Sequence, residues 1–157
     1  MSYEVARQVI TSYFQANFLN EQDAEPLPVE YPNRIYALPD GAAAAPWARF
    51  SIRHGMKQAT DVGTRSSRIG GEATLQIFLP EDSGVKLGRQ LGDLIISFME
   101  DVFLGTDDGV VRFRKVSVRE LPPDNGWDQT SVVMPFERDI YGAGQAGTFI
   151  PYVPPGP

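Results

Sequence analysis

His54 is the only histidine of the chain, and the sequence contains no cysteine. Those two facts argue against a histidine-based metal site and exclude thiolate ligation, a disulfide framework and thiol redox chemistry. A Ser-His-Asp arrangement would have to use His54, yet the chain has no Gly-x-Ser-x-Gly elbow. A strand-end histidine packing on a sheet accounts for this residue without any chemistry. Glu4, Glu100, Asp101 and Asp107 supply carboxylates, but nothing in their spacing brings two of them to the separation a glycosidase uses. Asp107-Asp108-Gly109 lacks the spaced donors and terminal Glu of a calcium loop and reads as a hairpin turn. Gly63-Thr64-Arg65-Ser66-Ser67-Arg68-Ile69-Gly70-Gly71 is glycine-rich like a phosphate cradle. It leads into a strand rather than a helix, however, and lacks the Gly-Lys-Ser/Thr ending. No catalytic, metal-binding or cofactor-binding constellation emerges, so function must be argued from architecture.

The architecture centres on the stretch from Arg65 to Leu104. Glu72-Ala73-Thr74-Leu75-Gln76-Ile77-Phe78-Leu79 alternates apolar with polar residues and stops at Pro80, which marks a strand. After a turn at Glu81-Asp82-Ser83-Gly84, the apolar spacing lengthens, and Leu87, Leu91, Leu94, Ile95, Phe98 and Val102 define one face of a helix. Near the N-terminus, Val5, Val9, Ile10, Tyr13, Phe14 and Phe18 predict a first amphipathic helix, with Ser2 as its cap. The acidic, proline-bearing residues 20–30 form a loop that stops it. Arg34-Ile35-Tyr36-Ala37-Leu38, bounded by prolines, predicts a short edge strand, and the alanine run at 42–45 is too brief to be a helix. Residues 47–54 alternate as a half-buried strand. Residues 55–68 form a polar loop longer than a hairpin needs, and the next strand begins near Ile69. Residues 110–121 predict a strand whose apolar parity changes midway, requiring a bulge near Arg114 or Lys115. Residues 131–137 predict a last strand, with Pro135 marking an edge or a bulge.

Together these elements predict a single α+β domain over residues 1–140. It has a mixed or mostly antiparallel sheet of about four to five strands, with two amphipathic helices packed on one face. Residues 141–157 form a Gly/Pro-rich arm in which Phe149, Ile150, Tyr152 and Val153 are apolar anchors. A length of 157 residues suits one domain, and 42% hydrophobic with 22% charged residues suits a soluble globular protein. The net charge of −6 argues against binding nucleic acid by phosphate neutralisation. The chain has no apolar run long enough to span a membrane and no basic signal-peptide start, which places it in a cytoplasm.

Lys86 and Arg89 lie in the first turns of the second helix and Glu100 and Asp101 in its last, the reverse of what the helix dipole favours. Pairing of these ends between neighbouring copies, positive against negative, is the expected compensation and would give a directional head-to-tail contact.

The order of motifs resembles the tail terminator (tail completion) proteins of long-tailed bacteriophages. The resemblance is carried by the N-terminal helix, Pro32-Asn33-Arg34, Pro46-Trp47-Ala48-Arg49-Phe50, Arg68-Ile69-Gly70-Gly71, Ile77-Phe78-Leu79-Pro80, Gly84 and the amphipathic helix. Gly126-Trp127-Asp128-Gln129 and Val132-Val133-Met134-Pro135-Phe136 complete it, so that it runs over residues 3–137. It implies a structural virion protein without catalysis or cofactor, and a homohexameric ring that caps the tail tube and ends its polymerisation. The implied partners are the tail tube protein and a head-completion or connector protein, with DNA passing through the lumen without specific binding. Such a protein assembles in the host cytoplasm and resides in the virion tail. In that setting the loop at 55–68, with Arg65 and Arg68, is the expected contact with the tube. A neck or connector protein and a tube subunit are the alternatives in the same setting, and a small hydrolase using His54 is the alternative outside it.

Overall fold

The computed structural model describes residues 3–21, 27–32, 45–59, 66–80, 86–124 and 126–141. They form an α+β domain: helix α1 (Tyr3–Glu21), strands β1 (Val29–Glu30), β2 (Trp47–Ala59) and β3 (Ser67–Pro80), helix α2 (Lys86–Met99), and strands β4 (Phe103–Thr106), β5 (Gly109–Phe113), β6 (Ser117–Asp124) and β7 (Trp127–Ile140). The seven strands make one sheet in the order β1-β2-β3-β7-β5-β4, with β6 continuing alongside β7. All pairings are antiparallel except β1 with β2. The sheet is therefore mixed, and it has more strands than the sequence predicts.

Alternation divides the sheet into two faces. Ala73, Leu75, Ile77 and Leu79 of β3 and Val132, Met134 and Phe136 of β7 are buried on the inner face, together with Ala48, Phe50, Val111 and Phe113. Both helices cover this face and join one core. From α1 it receives Ala6, Ile10, Phe14 and Phe18, spaced four apart, while Val5, Val9 and Tyr13 are only half-buried. From α2 it receives Leu91, Ile95, Phe98 and Met99. Leu87, expected on that face, is exposed. Two glycines explain the rotation: a Cβ on Gly88 would fall 2.5 Å from Thr130 Oγ1, and one on Gly92 would fall 2.7 Å from Val118 Cγ2. The helix lies directly against β6 and β7 along its glycine edge, which turns Leu87 outward. The helices also bond to each other, Tyr13 donating its hydroxyl hydrogen to the Phe98 carbonyl at 2.7 Å.

The stretch expected as one bulged strand at 110–121 is two strands on the same edge of β7. Phe113 faces Phe136 and Ser117 faces Val133, so four steps on one side answer three on the other. The single extra residue lies at 114–116, where the parity change placed it. Pro135 sits opposite this interruption. Its carbonyl accepts the Arg114 amide at 2.9 Å, and its missing N–H falls on that same side, where ladder pairing is suspended. Pro135 thus marks a bulge, and β7 is central rather than an edge.

Three further boundaries differ from the sequence reading. β2 runs on to Ala59 and β3 starts at Ser67, so residues 55–59 and 67–68 of the expected loop belong to paired strands, with a register shift between His54 and Lys57. Residues 55–59 are exposed on both sides, so no apolar alternation announces the strand there. Within the expected loop at 20–30, residues 29–30 pair with β2. Residues 103–106, at the end of the helical stretch, form β4, because the helix ends at Met99. The strand expected at 34–38, the alanine run, Ser2 and most of the arm at 141–157, with Phe149, Ile150, Tyr152 and Val153, lie outside the described residues.

Candidate interaction surfaces

His54 belongs to the packing. Its ring meets Tyr3 edge-on at 4.9 Å and Phe136 at 5.6 Å, and among the described residues it has no hydrogen bond to a carboxylate or serine with which to form a nucleophilic pair. Burial lowers its pKa from the usual 6.5, and the Arg138 charge lowers it further. The unfolded chain therefore takes up this proton more readily than the folded one, and the folded state loses stability as pH falls from about 6.5 through the depressed value. Urea midpoints at pH 7.5 and pH 5 are expected to show that loss in the native chain, and a smaller one in His54→Leu. Equal losses would show that His54 does not titrate during unfolding.

The outer face of the sheet is a ladder of arginines and carboxylates. Arg68 on β3 donates from Nε to Asp139 Oδ1 of β7 at 2.7 Å, and Arg112 on β5 donates from Nη2 to Asp139 Oδ2 at 2.6 Å. Arg114 pairs with Glu137, which also lies 3.9 Å from Arg112. Arg53 on β2 pairs with Glu72 on β3 at 2.7 Å. The Asp139 carboxylate holds the Arg68 guanidinium above its ordinary pKa. These pairs fix the side chains in position and match most of the positive charge on this face. Exposed pairs of this kind contribute little stability.

At the β1 end, Trp47 stacks on Phe78 with ring centroids 4.3 Å apart. The Arg49 guanidinium lies 5.4 Å from the Trp47 ring and donates to Glu30 at 2.6 Å. Toward the hairpin end, Arg53, Gly55, Met56, Arg68, Glu72 and Glu137 line an open cleft of about 580 Å³. His54 also lines it, and the lining contains no serine, threonine or cysteine for it to activate. At this same end of the sheet, on the inner side of β7 next to Glu137, Arg138 is fully buried and donates to Asp108 Oδ1 at 2.7 Å, and the Thr106 hydroxyl donates to the same oxygen at 3.0 Å.

The residues at the ends of α2 have partners within their own chain. Arg89 donates to Glu120 at 2.6 Å, Asp101 pairs with Lys115 at 2.6 Å, and the Glu100 carboxylate accepts the Val116 amide at 3.0 Å. Lys86 is exposed and has no ion pair among the described residues. Arg89, Asp101 and Glu100 are thus answered within the chain, and Lys86 is not answered among the described residues. Asp101 also takes the left-handed conformation that ends the helix, with φ of 61°. Asp101→Gly is expected to gain up to about 1 kcal/mol by relieving that conformation. A lowered melting temperature would mean that the Lys115 contact matters more than the backbone.

Of the residues expected to meet the tube, Arg68 is a strand residue tied to Asp139, and Arg65 lies outside the described residues. The sequence reading did not find the ladder of Arg53, Arg112, Arg114, Glu137 and Asp139. Its only sequence signal is charge at alternate positions, which becomes a ladder once the register is known. Among the described residues there is no acidic or histidine cluster able to hold a metal ion, and no helix is long and apolar enough to cross a membrane.

A comparison with curated proteins finds no match. Among solved structures, one chain of 15% sequence identity superposes with a TM-score of 0.65 over 86% of this chain and 96% of its own length. That likeness concerns the fold alone. A family model described as "Phage tail terminator protein" matches residues 9–136.

Proposed function

Since the chain belongs to the phage tail terminator family, a family of structural, non-enzymatic tail components, we propose that it forms a closed homohexameric ring. The ring caps the tail tube, ends its polymerisation and offers its other surface to the head-completion or connector protein. The observation that carries this reading is the family match, which takes in most of α1, all of α2 and most of the sheet. The protein resides in the virion as part of the tail. Its partners are copies of itself, the tube protein and the head-side protein.

The surface chemistry is compatible with a ring around a DNA channel. A channel that gripped phosphates would hold the DNA it must pass. A chain of net charge −6, whose sheet arginines are largely matched by carboxylates, has little free positive charge with which to grip. The end of the β2–β3 hairpin, continuous with Arg65 and Arg68, is the part proposed to touch the last ring of tube protein. Phe149, Ile150, Tyr152 and Val153 are proposed to anchor the C-terminal arm on a neighbouring subunit.

The test is to add the purified protein to polymerising tube protein and measure tube length by electron microscopy. The reading predicts shorter tubes with extra density at one end, and loss of both effects when residues 55–68 are replaced by a short turn. Tubes of unchanged length with bare ends would overturn the capping role. Co-polymerisation along the tube would make the protein a tube subunit instead.

A further inference from the structure

The two most exposed large apolar residues among those described are Met56, 82% exposed, and Phe103, 67% exposed. They lie far apart in sequence but end the same row of the sheet. Phe103 on β4 faces Arg112 on β5, Arg112 faces Glu137 on β7, and Glu137 faces Gly70 on β3. On β2, His54 faces Gly71 and Lys57 faces Ile69, so the two intervening residues, Gly55 and Met56, sit opposite Gly70. β2 and β4 stand at opposite sides of this five-strand row, about 19 Å apart at roughly 4.8 Å per strand. Each side therefore carries one exposed apolar side chain at the same height.

The charges beside them are opposite. Lys57 follows Met56, and Asp107 follows β4 just beyond Thr106; both are exposed, and neither has an ion pair among the described residues. Both strands also have a free backbone edge among the described residues. β1 covers β2 only at Ala48 and Arg49, and β4 pairs only with β5.

We propose that these two edges are the complementary halves of a head-to-tail contact between copies of this chain. Met56 of one copy packs on Phe103 of the next, and Lys57 faces Asp107. A thioether against an aromatic ring is a favourable contact. Because the two halves differ and lie at one level of the sheet, each copy meets the next by the same head-to-tail relation, which builds a ring when its rotation divides the circle. The bulge in β2 and the four-residue length of β4 restrict backbone pairing to a short stretch, which limits the open-ended edge addition that long flat strands invite. This pairing rests on the proposed ring and specifies which surfaces build it.

The absence of cysteine makes the test direct. Met56→Cys and Phe103→Cys are made separately and together in the full chain, oxidised at the concentration where the chain assembles, with tube ends present, and resolved without reductant. The proposal predicts a ladder of cross-linked multimers from the double variant and dimers from an equal mixture of the single variants. Each single variant alone should give little dimer. Mass by light scattering is read in parallel. An assembled ring without Met56–Phe103 cross-links overturns this edge pairing and leaves the ring standing. Strong dimers from one single variant alone would mean a symmetric contact and would also overturn it. A chain that stays monomeric with tube ends present overturns the ring and the pairing together.

Discussion

Phe14→Ala is expected to lower the unfolding free energy by about 3–5 kcal/mol, the range for removing a buried aromatic ring. Phe14 is fully buried and stands where α1, α2 and the sheet meet. Its ring centroid lies 4.4 Å from Phe50 of β2, 5.1 Å from Phe18 of α1 and 5.7 Å from Phe98 of α2. Its removal leaves these three rings around a void that none can fill without leaving its own element. A domain of ordinary stability has about 5–15 kcal/mol in total, so the variant would lie near its threshold. Urea titration should show a lower midpoint at an unchanged slope. A loss below about 1 kcal/mol, less than any cavity of this size should cost, would mean that α1 is not packed as described.

Gly109→Ala is expected to cost about 3 kcal/mol, the upper part of the overpacking range. A Cβ at this position would fall 1.7 Å from the Asp139 carbonyl oxygen and 2.8 Å from its carbon. Both are backbone atoms of a central strand and have little room to move. The displacement would spread into the turn, because Asp108 accepts from the fully buried Arg138 through its side chain and from the Tyr141 amide through its carbonyl. Thermal melting should show a drop of many degrees, with near-native secondary structure at low temperature. A melting point within a degree or two of the native one would show that β5 and β7 do not approach so closely. Gly105, which has open space around its own Cβ direction, is the control: Gly105→Ala should change little.

The sequence made the long-period elements legible and left their boundaries and contacts unread. The alternation in β3 and the apolar spacing of α1 and α2 each identify a half-buried element without reference to the rest of the fold. The parity change between Phe113 and Val116 likewise exposes the extra residue, because a strand cannot change faces otherwise. Strand β2 is different. Beyond His54 it extends past the core, so burial no longer imposes alternation and its residues read as a loop. Leu87 misleads for another reason: spacing cannot reveal that Gly88 and Gly92 allow the helix to roll onto β6 and β7. Pro135 allowed two readings, and only the position of Arg114 beside it selects the bulge. The charged ladder, the partners of the α2 ends and the shared row of Met56 and Phe103 all depend on strand register, which local patterning does not contain. The family resemblance, by contrast, was legible from the order of turn and edge residues.

The central claim is that this protein ends tail growth and joins the tail to the head. The most direct measurement is electron microscopy of particles from a phage lacking this gene, with tail length and head attachment scored together. The account predicts overlong, headless tails, with normal length and attachment restored when the gene is supplied. Tails of normal length beside heads that remain unattached or incomplete would contradict it and move the protein to the head side of the junction.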